Sequence, residues 1–173
     1  MPSSLNVPKG ITRGKWGEYY GTPTAAQTYV PGDWVIIGTS GTLEIAAASA
    51  NDVDASAVQI LGISMHSAAD VLALPSTPFE RRLGMVAIPL DAGSQFLSAI
   101  YHATAASAVL AETAIDVPTV LPLRNQGGLW CGSLANDGTD DCIQFDEKYH
   151  LHIYTDTYPW WWAHVVRTEM FGT

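Results

Sequence analysis

The stretch Pro31-Gly32-Asp33-Trp34-Val35-Ile36-Ile37-Gly38-Thr39-Ser40-Gly41-Thr42-Leu43-Glu44-Ile45 reads as a β-hairpin. Pro-Gly-Asp makes a turn, because Pro presets its own φ while Gly and Asp tolerate the conformations that turns require. Trp34–Ile37 then sets an aromatic residue before three β-branched ones, a composition that suits a pleated, half-buried surface. Thr39-Ser40-Gly41 turns the chain back, and Thr42–Ile45 returns.

The same pattern continues on the C-terminal side. Val58–Met65, Gly84–Leu90, Gln95–Ala103, Leu129–Leu134 and Ile143–Thr155 read as strands separated by Gly, Pro, Asn and Asp clusters. Pro118 and Pro122 demote Val117–Leu123 to an edge, since proline cannot donate to a ladder. Arg124–Gly128 reads as a turn, and Ala135–Asp141, which contains Asp137-Gly138, as a hairpin loop. Ala46–Ala57 is a loop, and His66–Ala73 is either a short helix or a loop. Short strands with frequent turn signals predict an all-β sandwich or small barrel of antiparallel strands. The alternative is an α+β body with one helix between Ala103 and Glu112. No repeat with a period of 20–50 residues is visible.

Seven glycines and prolines interrupt residues 1–28 and predict an extended N-terminal arm, with a β-rich body over 29–173. The first fifteen residues hold Lys9, Arg13 and Lys15 and no acid, which leaves five of the eight bases against all seventeen acids in the remainder. A basic arm on an acidic body points to docking on another surface. Lys9, Arg13 and Lys15 would pair with carboxylates there, while Trp16, Tyr19 and Tyr20 would fill apolar hollows.

The net charge of −9 opposes a body that wraps nucleic acid. No uninterrupted apolar run is long enough for a membrane helix. The opening Met-Pro-Ser-Ser-Leu lacks the basic-then-apolar order of a secretory leader, so no export is expected. Only 14% of residues are charged, against roughly 25% in ordinary globular chains. That deficit implies that much of the surface is covered by other proteins.

No pattern of residues announces catalysis or a cofactor. His150 and His152 fall on one side of a strand, but no H-E-x-x-H or C-x-x-C spacing completes a metal site. Asn136, Asp137, Asp140 and Asp141 gather oxygens in one loop without the spacing of a calcium hand. Neither a phosphate-binding loop nor a G-x-S-x-G elbow occurs. Cys131 and Cys142 flank the hairpin loop, where opposed strands would bring them within disulfide reach; in a reducing cytosol two buried free thiols are the expected state. Trp160-Trp161-Trp162 cannot all face one core, because neighbours on a strand point to opposite sides. These three rings are expected near a contact between subunits of a homo-trimer or dimer.

Three phrases in order resemble capsid decoration (cement) proteins and related small head proteins of tailed bacteriophages. They are Pro31-Gly32-Asp33-Trp34-Val35-Ile36 with its return strand, Ile60-Leu61-Gly62-Ile63-Ser64-Met65-His66-Ser67-Ala68-Ala69, and Met85–Pro89. The resemblance spans about residues 29–98 and leaves the C-terminal aromatic segment unmatched. It implies a β-rich, non-catalytic structural protein, made in the host cytoplasm and bound to the major capsid protein on the outer face of the head. A carbohydrate-binding or other virion surface module, and a tail or head–tail connector component, are the alternatives.

Overall fold

The computed structural model describes residues 12–54, 59–75, 82–102, 115–135, 140–149 and 160–166. The regular structure in them is almost all extended, in agreement with the all-β expectation. In chain order it comprises β1 (Thr12–Arg13), β2 (Trp16–Gly21), β3 (Trp34–Ile37), β4 (Leu43–Ile45), β5 (Asn51–Asp52) and β6 (Ile60–Ser64). Helix α1 (Ala68–Ala73) follows, and then β7 (Gly84–Pro89), β8 (Gln95–Tyr101), β9 (Thr119–Gln126), β10 (Leu129–Ser133), β11 (Asp141–Lys148) and β12 (Trp161–Val165). Residues 103–114, where the alternative helix was expected, lie outside the described residues.

The strands form two sheets, and each closes on itself. The first runs β2-β7-β6-β3-β4, antiparallel at every step. Past Gly21 the β2 chain continues alongside β4 in parallel. There the Leu43 amide donates to the Thr22 carbonyl at 2.8 Å and the Thr24 amide to the Leu43 carbonyl at 2.9 Å. The second sheet runs β8-β10-β9-β11-β12, and β12 returns to β8. Its single parallel pairing is β8–β10. A ring of five strands cannot alternate direction all the way round, so one parallel step is a condition of closure. β1 and β5 attach outside the second ring, on β8 and β9.

The two barrels are wired alike. In each, the first strand pairs with the third in parallel, and the third, second, fourth, fifth and first then pair in turn. The registers agree as well. Tyr19 and Ser64 both face Val86, as Phe96 and Phe145 both face Ala163. Pro23 and Ile37 both face Leu43, as Ile100 and Leu123 both face Gly132. Each fourth strand carries one bulged residue opposite the second strand, Leu61 in one barrel and Cys142 in the other. Register fixes the stagger of a barrel, so the chain is a structural duplication of one small barrel.

Equivalent positions also point inward together. Tyr19, Val35, Ile37, Ile45, Leu61, Val86 and Ile88 belong to the first core. Their counterparts Phe96, Leu121, Leu123, Leu134, Cys142, Ala163 and Val165 belong to the second. Volume is exchanged between neighbours rather than lost. Leu43 and Ser64 in the first barrel become Gly132 and Phe145 in the second, where a Cβ on Gly132 would lie 2.5 Å from the Phe145 ring. The outward residues Trp34, Ile36, Ile60 and Ile63 of the first barrel join the second core. Trp34 meets Phe96 edge-on at 4.8 Å between ring centroids, and Trp130 Nε1 donates to Asp33 across the junction at 2.9 Å.

Several local expectations need correction. The segment over 1–28 is not an arm throughout, because Thr12–Arg13 and Trp16–Gly21 are ladder strands of the chain's own sheets. Pro122 does not mark an edge, since β9 carries β10 on one side and β11 and β5 on the other. The β10 ladder ends at Leu123, one residue before Pro122 would have had to donate, and β11 bulges opposite it. Arg124–Gln126 continue β9, so the reversal is made by Gly127-Gly128 alone, with φ of 64° and 87°, which only Gly adopts readily. β10 and β11 are not hairpin partners, because they flank β9 on opposite sides. The short helix over His66–Ala73 is present as α1, capped by Ser67 Oγ accepting from the Asp70 amide.

Gly132→Ala should lower the urea unfolding free energy by about 1–3 kcal/mol, the usual range for overpacking. Adding Phe145→Leu should recover part of that loss if the ring is what the new methyl meets.

Candidate functional site

Of the predicted basic and aromatic residues, Arg13 and Trp162 meet on the outside of the second barrel. β1 lies on the edge of β8, with Arg13 opposite Gln95. The Arg13 guanidinium sits 4.3 Å from the Trp162 ring centroid, pairs with Glu147 and donates through Nε to Gln95 Oε1. Tyr149 stands edge-on to Trp162 at 5.8 Å. Gln95 Nε2 donates to Asp146. That carboxylate also accepts from Gln144 Nε2 at 2.9 Å and lies 2.7 Å from His164 Nδ1. Asp146 is presented by the second bulge of β11, between Phe145 and Glu147. The charge signs and the stacked ring hold a strand in place. Among the described residues, no hydroxyl or thiol is hydrogen-bonded to His164, and no cluster of three His, Cys, Asp or Glu side chains could hold a metal. His150, His152, Asn136 and Asp137 lie outside the described residues.

The other arm residues are used differently from one another. Trp16 is half-buried against the second core, its Nε1 donating to the Arg13 carbonyl at 3.1 Å. Tyr19 lines the first barrel. Both rings therefore fill hollows of their own chain. Tyr20 is 51% exposed, with its hydroxyl on Glu18 at 3.0 Å, a bond that raises its pKa above the ordinary value. Lys15 is exposed, and its carbonyl accepts from Ser94 Oγ. Lys9 lies outside the described residues.

The three tryptophans alternate as strand geometry requires. Trp161 enters the second core, while Trp160 and Trp162 belong to an outer cluster with Leu97, Ala99, Leu129, Cys131, Tyr101 and Tyr149. Trp160 and Trp161 are buried within the chain, and Trp162 is partly buried under Arg13. Cys131 and Cys142 are buried and not joined in a disulfide, the first in the outer cluster and the second in the core.

Sequence reading missed Gln95, Asp146, Glu147 and His164. Only the local Asp-Glu-Lys run at 146–148 marked any of them, and its partners are far away in the chain. It also missed that large exposed apolar residues concentrate on the first barrel and its connections: Tyr20, Val30, Met65, Leu74, Leu83 and Leu90, against Val117 alone in the second half of the described chain. Comparison with known protein families, with curated proteins and with solved structures found no match for this chain.

Burial pushes the Cys131 thiol up from 9.0 to about 12, because its thiolate would have to leave water. The unfolded chain therefore releases a proton above about pH 9 that the folded chain keeps up to about pH 12. This group's stabilisation is complete below that window and is lost as pH rises through it, by up to about 1.4 kcal/mol per pH unit. Tyr29, raised by burial from 10.0 to about 12, acts in the same sense in the upper part. Under reducing conditions, Cys131→Ala should show a shallower fall in urea midpoint between pH 9 and 11 than the parent protein.

Proposed function

We propose that the protein is a structural component of a bacteriophage virion, a capsid decoration protein that binds the outer surface of the head between capsomers and stabilises it. The observation that carries this reading is the uneven placement of apolar surface. Met65, Leu74 and Leu83 are exposed around the end of β6, α1 and the start of β7, within the span that resembles decoration proteins. Large apolar side chains gathered on one part of a folded surface can mark a protein contact. The low charge content of 14% agrees with a surface that spends its working life against other proteins. In this reading the role is structural rather than catalytic, and the partners are the major capsid protein and further copies of the chain.

Quantitative mass spectrometry of purified particles tests it. A copy number approaching that of the capsid subunit supports decoration. A dozen copies or fewer would replace it with a connector role, and absence from the particle overturns it. Leu74→Glu with Leu83→Glu should weaken binding to heads at least about tenfold, the loss expected when about 1.4 kcal/mol or more of apolar contact is removed. The urea midpoint should stay unchanged, because both side chains are exposed.

A further inference from the structure

We propose that the open edge of β2 at Glu18 and Tyr20 receives, as an added strand, the basic N-terminal segment of a second copy of this chain, with Lys9 opposite Glu18.

The duplication supplies the comparison. In each barrel the third strand covers only the C-terminal half of the first strand, and the N-terminal half of that edge is left over. In the second barrel the leftover edge is filled by β1, with Arg13 opposite Gln95 and Thr12 opposite Phe96. Gln95 and Phe96 correspond to Glu18 and Tyr19. On the first barrel no strand among the described residues pairs with this edge, since β2 is laddered only to β7 until Pro23 reaches Leu43. The Thr22 carbonyl and Thr24 amide point to the β4 side. Backbone alternation therefore turns the amides and carbonyls of Tyr20 and Glu18 the same way, towards the vacant edge. Glu18 and Tyr20 are also exposed.

Charge and sequence select the occupant. The filled edge holds a cation opposite a neutral amide; the vacant one offers a carboxylate in the same place. Residues 1–15 contain three bases and no acid. Placing Lys9 opposite Glu18 in antiparallel register puts Val7 opposite Tyr20, and both Lys9 and Val7 then turn their backbone groups towards β2. Pro8 falls between them, where a strand residue would point its amide outwards. Its missing N–H is then no loss, and it blunts the new edge against a further strand. A segment of the same copy is badly placed for this. From Arg13 to Thr12 the chain runs along β8 towards its C-terminal half, away from the Lys15–Ser94 contact where β2 begins. Contacts of this head-to-tail kind close into rings when the rotation allows.

Sedimentation of the full chain, free of any capsid, tests the proposal independently of the head-binding reading. The parent protein should self-associate, and Glu18→Lys or Lys9→Glu should each raise the dissociation constant at least about tenfold. The double exchange Lys9→Glu with Glu18→Lys should restore most of the association. If Glu18→Lys does not fold, Lys9→Glu carries the test alone, since Lys9 precedes every strand among the described residues. A monomeric parent protein, unchanged association in Lys9→Glu, or a double exchange no better than the single ones overturns the proposal. Head binding by a strictly monomeric protein would do so while leaving the decoration reading intact.

Discussion

Everything else in this molecule depends on the parallel step that closes each five-stranded ring. Parallel neighbours cannot be joined by a tight turn, so the chain must leave the first strand, build the second, and come back along the first as the third. The hairpins β3–β4 and β9–β10 are that return. Once β4 lies beside Thr22–Thr24, and β10 beside Ala99–Tyr101, the stagger of each barrel is set. The pleat then decides which residues turn inward. The shared bulge at Leu61 and Cys142 takes up the mismatch where the second and fourth strands cross.

The duplicated frame has been put to two uses. On the first barrel the outer faces of β3 and β6 carry Trp34, Ile36, Ile60 and Ile63, which are buried against the second barrel. The equivalent places on the second barrel are Val120, Pro122, Asp141 and Gln144. Two of these four are polar, so the second barrel offers no comparable apolar seat on this face. The edges differ in the opposite sense: the second barrel's spare edge is strapped by β1, and the first barrel's is left with Glu18 and Tyr20 facing solvent.

This asymmetry bears on the proposed role. A protein that decorates a shell needs a folded anchor and a face that stays unsatisfied until it meets its partners. The second barrel, with its stacked Arg13–Trp162 pair and buried tryptophans, has the character of the anchor. The first barrel holds most of the exposed apolar side chains and the spare strand edge. Such edges are hazards when long and flat; here the exposed stretch is short and carries a carboxylate.

The residues alone determined the local extended structure. Runs such as Trp34–Ile37 and Gly84–Pro89 announced strands because β-branched and aromatic side chains suit a pleated surface, whereas His66–Ala73 read equally as a short helix or a loop until the Ser67 cap showed the helix. Burial of both thiols was also legible, as was the opposed facing of Trp160, Trp161 and Trp162. What only the tertiary structure decided is which strands meet. The duplication escaped notice because its equivalent residues differ in identity: Leu43 answers to Gly132, Ser64 to Phe145, Glu18 to Gln95. A barrel constrains summed volume and register, not the residue at each place. Pro122 looked like an edge because a proline's missing donor matters only on the side where a partner strand lies, and that side is set by closure. Trp16 and Tyr19 looked like an arm's anchors for a similar reason. Glycine-rich flanks reveal a chain that does not form helix, but not that its next strand will be taken up by β7.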